Sequence, residues 1–205
     1  MVNEIVKYYR KFIPIVILLS FIAGINNIYS QSNVINIKNN AVVIFKNNSN
    51  IKINGSVNVE NSATFQLNGD VYVIGNWTNN GNQTSTSGTV NFIGNSTSKI
   101  LATTATSNQF YLINLDKSNG SDTLWVDCNT FSAPDGFLLL TKGIFRFGGT
   151  NAFSNSFFIP YSAGNIALQY GTGFILDNPN AVVLGQSLSG IFYLRGLLQI
   201  NNGTF

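Results

Sequence analysis

The sequence predicts an all-β protein, built as a right-handed parallel β-helix or a related β-solenoid of short stacked strands. Three observations carry that prediction. Very short alternating runs follow one another from Val34 to Trp77, each broken by an Asn- or Gly-rich step. After residue 30 no stretch keeps the i, i+3, i+4 apolar spacing of a helix. Finally, FLLLTKGIFRFGG (137–149) echoes IFYLRGLLQINNG (191–203): aligned on Gly143 and Gly196, both place one base (Lys142, Arg195) before the glycine, at an offset of 53 residues. That offset suits one repeat unit or a small multiple of one.

In order, the first runs are VINIK (34–38), AVVIF (41–45), IKI (51–53), VNV (57–59), ATFQL (63–67) and VYVIGNW (71–77). Alternation turns one face of each run inward. The breaks KNN, KNNSN, NGS, ENS and NGD are rich in residues that tolerate left-handed corners. Residues 81–88 (GNQTSTSG) read as a polar loop without an apolar anchor. From 89 to 205 the runs are longer and more aromatic: TVNFIG, FYLINLD, TLWVD, FLLLTKGIFRF, FFI, GFILD, AVVLG and IFYLRGLLQI. Runs this short suit solenoid faces better than the alternative, a β-sandwich. A membrane barrel needs about 9–11 residues of clean alternation per strand, a length that only 137–147 and 191–200 approach.

Residues 1–30 stand apart as a signal peptide, leaving 31–205 as the solenoid region. Lys7, Arg10 and Lys11 form a basic start, and Phe12–Ile25 is an apolar stretch of 14 residues. That is shorter than the roughly 18 residues a spanning helix needs. The expected cleavage falls between Ser30 and Gln31, and no Cys follows to take a lipid. The chain carries a formal charge of +3, but without Lys7, Arg10, Lys11 and Glu4 eight bases face seven acids. No basic stripe remains for nucleic acid. Cys128 is the single cysteine, which excludes an intramolecular disulfide.

The phrases GNWTNNG (75–81), SGTVNFIGNSTSKI (87–100), FYLINLDKSNGSDTLWVD (110–127) and FLLLTKGIFRFGG (137–149) occur in linked order. This order resembles the repeats of large secreted surface proteins of Bacteroidetes-type bacteria. The resemblance implies a β-solenoid-like, adhesin-like protein, commonly exported by the type IX system through a C-terminal sorting domain. No such domain follows Phe205, and NNGTF opens a strand without closing one. The expectation is therefore a fragment whose C-terminal end meets the continuation of its own chain. The resemblance supplies no catalytic residues.

Histidine is absent, which excludes Ser–His–Asp and Cys–His catalysis and His-ligated metal. Asp116, Asp122, Asp127 and Asp135 are the only local concentration of carboxylates, and their spacing does not fit a calcium loop. The expectation is a non-enzymatic protein without cofactor or metal, secreted or at the cell surface. Its partners would be cell-surface glycans or other surface proteins. The alternative is a carbohydrate-binding or polysaccharide-active module. Trp77, Tyr111 and Trp125 are the candidate glycan contacts, because aromatics on a flat β face stack on sugar rings; packing into the core is the competing role for the two tryptophans. Asp122-Thr123-Leu124 resembles the O-glycan acceptor of the same bacterial group, with Thr123 as the acceptor.

Overall fold

The structure, a computed structural model, describes residues 28–30, 34–158, 165–184 and 191–205. The apolar segment Phe12–Ile25 lies outside the described residues. The chain folds as a parallel β-solenoid of about seven turns, without helix among the described residues. Each early turn lays down one strand on each of three faces. The first gives β1 (Ile28–Ser30), β2 (Val34–Ile37) and β3 (Val42–Phe45); the second gives β4 (Asn50–Ile53), β5 (Ser56–Val59) and β6 (Thr64–Leu67). The third gives β7 (Asp70–Val73), β8 (Trp77–Asn79) and β9 (Asn82–Thr84), and the fourth β10 (Thr89–Gly94), β11 (Ser98–Ala102) and β12 (Ser107–Asn108). Then follow β13 (Leu112–Lys117), β14 (Thr123–Cys128), β15 (Leu138–Phe147), β16 (Phe153–Asn155), β17 (Ile166–Leu168), β18 (Thr172–Val183), β19 (Phe192–Leu194) and β20 (Leu197–Thr204).

Face one stacks β1, β4, β7, β10, β13 and the start of β15; face two stacks β2, β5, β8, β11, β14, the end of β15, β18 and β20; face three stacks β3, β6, β9 and β12. On face two one inward position runs through Ile35, Val57, Trp77, Ile100, Val126, Phe147, Leu176 and Ile200. Successive members lie 22, 20, 23, 26, 21, 29 and 24 residues apart, so the coil length drifts while the register holds. The 53-residue echo is two such coils. Gly143 pairs with Thr172, and Gly173 with Leu197, which sets Gly196 two coils above Gly143.

The core is the interior of the coil. Its axis is a line of rings: Phe45, Phe65, Trp77, Phe110, Phe131, Phe147, Phe157 and Phe174, with successive centroids 5.0 to 5.8 Å apart. Such contacts add about 0.5–1.5 kcal/mol each beyond the area they bury. Side chains between strands of one face also bond from coil to coil. Asn58 donates to Asn36 (2.9 Å), Asn114 to Asn91 (3.0 Å) and Thr141 to Asn114 (2.9 Å). At the last described coil Ile200, an inward residue by register, is 48% exposed.

The corners behave as their residues dictate. Asn40, Asn48 and Ser62 hold φ of 63°, 64° and 64°, each inside one of the polar breaks. Two readings change. Residues 82–84, expected to be loop, form β9, because its inward residue Gln83 is buried with its amide bonded on both sides. FLLLTKGIFRF is one strand that serves two faces: Leu138–Leu140 pair with β13 on face one and Ile144–Phe147 with β14 on face two.

Candidate functional site

The three candidate glycan contacts do not converge. Trp77 is 0% exposed and sits in the inward position between Val57 and Ile100. It is corrected from candidate contact to core residue. Its indole Nε1 donates to Gln83 Oε1 at 2.7 Å, and Gln83 Nε2 donates to the Gln109 carbonyl at 2.9 Å. The buried indole dipole is thus met by an amide that is itself satisfied, as burial of a polar group requires. Trp125 lies on the outer side of face two and Tyr111 on the corner leading from β12 to β13. A single sugar ring cannot span inside, face and corner.

Trp125 is the most elaborated surface aromatic. The outward positions of face two bring Lys99, Trp125 and Arg146 into adjacent register. Lys99 Nζ stands 4.7 Å and the Arg146 guanidinium 4.5 Å from the ring. Both π faces therefore carry a cation, each contact being worth about 0.5–1 kcal/mol at an exposed site. Arg146 also pairs with Asp177, which accepts a further bond from Asn202 at 3.0 Å. The guanidinium, and then Asn202, hold the Asp177 carboxyl below its ordinary range. Trp125 Nε1 is buried without a hydrogen-bond partner against Gly148, where a Cβ would stand 2.8 Å from it. The ring is thus a structural brace between coils, with both stacking faces occupied.

Tyr111 is 46% exposed and presents its ring to solvent. Thr123 is half-buried at the start of β14, in register with Ile144, and Leu124 after it is buried. The preceding Asp122 accepts a bond from Asn119 at 3.1 Å.

Two reactive groups lie inside. Lys117 is 1% exposed at the corner where β13 leaves face one. Its Nζ donates to the Ile93 carbonyl (3.0 Å) and to Ser98 Oγ (2.7 Å), and Ser98 Oγ donates to the Ile74 carbonyl (3.0 Å). Gly143 gives it room: a Cβ there, where φ is +109°, would stand 3.1 Å from Lys117 Cγ. Burial pushes the ammonium down to about 8, with the Asp122 charge opposing the shift. A hydrophobic pattern read from sequence misses this residue, since LDKSNGSD has the composition of a solvated turn.

Cys128 is buried, and burial, followed by the Asp127 charge, pushes its thiol up to about 12. Sγ donates to the Ile100 carbonyl (3.3 Å) and accepts from Asn108 Nδ2 (3.5 Å). The thiolate is the nucleophile, so this group is inert in the fold. We expect no reaction with a disulfide reagent in buffer and one equivalent in denaturant. Stoichiometric labelling of the native chain within seconds would contradict this.

The four clustered aspartates disperse. Asp116 pairs in register with Lys142 on face one, Asp127 sits on face two, and Asp135 accepts the backbone N–H of Ser156 at 2.8 Å. Among the described residues no three His, Cys, Asp or Glu side chains come together as a metal site. Comparison with protein-family models, with curated proteins and with solved structures finds no match to this chain.

Proposed function

We propose that the chain is an exported, non-enzymatic structural segment, a spacer or adhesin-like rod at the cell surface. The observation that carries this reading is the use made of its reactive side chains. Cys128, Lys117, Trp77, Trp125 and Arg146 are all engaged in holding one coil to the next, Trp77 through its rings' contacts with Phe65 and Phe110. The outward ladders of Asn and Thr do the same in neutral form. The resemblance of residues 75–147 to repeats of secreted surface proteins, and the basic-then-apolar N-terminal segment, support the compartment. On intact cells of the source bacterium, an antibody or an added protease should reach the chain. Protection from protease in intact cells would sink the reading.

Tyr111 favours a second reading, glycan binding, because its ring is open. Tyr111→Ala should then abolish binding on a glycan array while Trp125→Ala lowers stability. An array silent to the folded protein removes this alternative.

A further inference from the structure

Five Asn-Gly steps occur in the chain, at Asn54, Asn68, Asn80, Asn119 and Asn202. In such a step the side-chain amide carbon lies within reach of the next main-chain nitrogen, and glycine has no Cβ to keep the two apart. Whether they meet depends on how the fold holds the amide and the glycine. Four of the five are held. Asn68 Oδ1 accepts from the N–H and the hydroxyl of Thr86, both at 3.1 Å, and Gly69 is buried. Asn80 Oδ1 accepts from Thr103 and Thr104 at 3.3 Å each, while the Gly81 N–H donates to Asn79 Oδ1 at 3.0 Å. Asn119 Nδ2 donates to Asp122 at 3.1 Å, and Asn202 Nδ2 to Asp177 at 3.0 Å. Asn54 differs. It is exposed at the corner between β4 and β5, and among the described residues neither its amide nor the Gly55 N–H has a hydrogen-bond partner.

We propose that Asn54 is a site of spontaneous covalent modification, the first asparagine of the folded chain to become an acid. The co-reactant is water. The Gly55 nitrogen bonds to Asn54 Cγ, the Cγ–Nδ2 bond breaks, and Nδ2 leaves as ammonia with the proton that the Gly55 nitrogen gives up. Water then opens the cyclic imide. Attack at Cγ restores the main chain with an aspartate side chain. Attack at the Asn54 main-chain carbonyl carbon routes the chain through Cβ, as isoaspartate. In both cases the imide nitrogen regains a proton and an amide N–H is restored. The change bears on the solenoid in two ways. Each conversion adds one negative charge to a chain with only 8 Asp and Glu. The isoaspartate form also adds an atom to a corner tied to the next coil, where the Gly75 N–H donates to the Gly55 carbonyl at 2.9 Å. This chemistry goes beyond the structural reading above and does not depend on export.

The test incubates the purified full chain in warm neutral buffer, and in parallel in guanidinium chloride. Peptide mapping by mass spectrometry, with fragmentation that separates aspartate from isoaspartate, gives the converted fraction at each of the five asparagines over time. In buffer Asn54 should reach half conversion first, with the other four lagging severalfold. In guanidinium chloride that lead should vanish, because the bonds that hold the other four are gone. Another asparagine leading in buffer overturns the proposal, as does an Asn54 that stays intact in buffer. A lead for Asn54 that persists unchanged in guanidinium chloride also overturns it, since the fold would then play no part in the order.

Discussion

Trp77→Ala lowers the unfolding free energy by about 3–5 kcal/mol, the range for losing a fully buried large aromatic. The indole touches Phe65 (5.7 Å between centroids), Phe110 (5.8 Å) and Phe92 (6.5 Å), so the cavity opens on the axis and joins three coils. Gln83 Oε1 also loses its donor at a buried site, which costs about 1–3 kcal/mol where no water replaces it. Trp77→Phe separates the two effects, since it refills most of the volume but leaves the amide unpaired; its cost should be roughly half that of the alanine. Because each coil contacts only its neighbours, the damage should concentrate between β5 and β11. Urea unfolding followed by fluorescence and far-ultraviolet dichroism checks the magnitude. Hydrogen exchange checks the location. A loss under about 1 kcal/mol would show that Trp77 does not sit in a packed core.

The contrast between Trp77 and Gln83 marks how far the sequence could be read. Alternation located β2 to β7 within a residue or two, because on those turns Ile, Val, Phe and Leu occupy the inward positions and Asn, Lys and Gln the outward ones. On face three the inward position passes from Val43 and Phe65 to Gln83 and Asn108. Hydrophobic pattern is blind to β9 and β12, since their interior side chains are amides bonded to Trp77, Cys128 and backbone carbonyls. In the sequence β18 reads as two runs, GFILD and AVVLG, because Asn178-Pro179-Asn180 has the composition of a break. In the fold, Asn178 is buried and bonds the carbonyls of Gly148 and Asn151, so the strand continues through it. Which tryptophan is core and which is surface brace depends on register. Register in turn depends on coil lengths that vary from 20 to 29 residues.

Lys117→Met should make the solenoid more stable at neutral pH, and the gain should vanish in alkali. In the fold the ammonium titrates near 8, against 10.5 when solvated. Below pH 8 both states hold the proton and the folded state bears the whole cost of burying the charge. Between about 8 and 10.5 the unfolded chain keeps a proton that the folded chain has released, so unfolding takes up a proton and stability rises with pH. The shift corresponds to on the order of 3 kcal/mol across that window. Methionine fills the same space beside Gly143 without a charge, but it gives up the bonds to Ile93 and Ser98, at roughly 0.5–1.5 kcal/mol each. The net gain at pH 7 is therefore about 1–2 kcal/mol. The Cys128 thiol, pushed up to about 12, is common to both proteins and cancels in the difference. The decisive measurement is the stability of wild type minus variant by urea unfolding at pH 7, 8, 9 and 10. It should start negative and climb through zero, and two parallel profiles would mean that the amine reaches water. Lys117→Arg separates the space from the charge: the guanidinium cannot shed its proton in this range. That variant should remain destabilised at every pH.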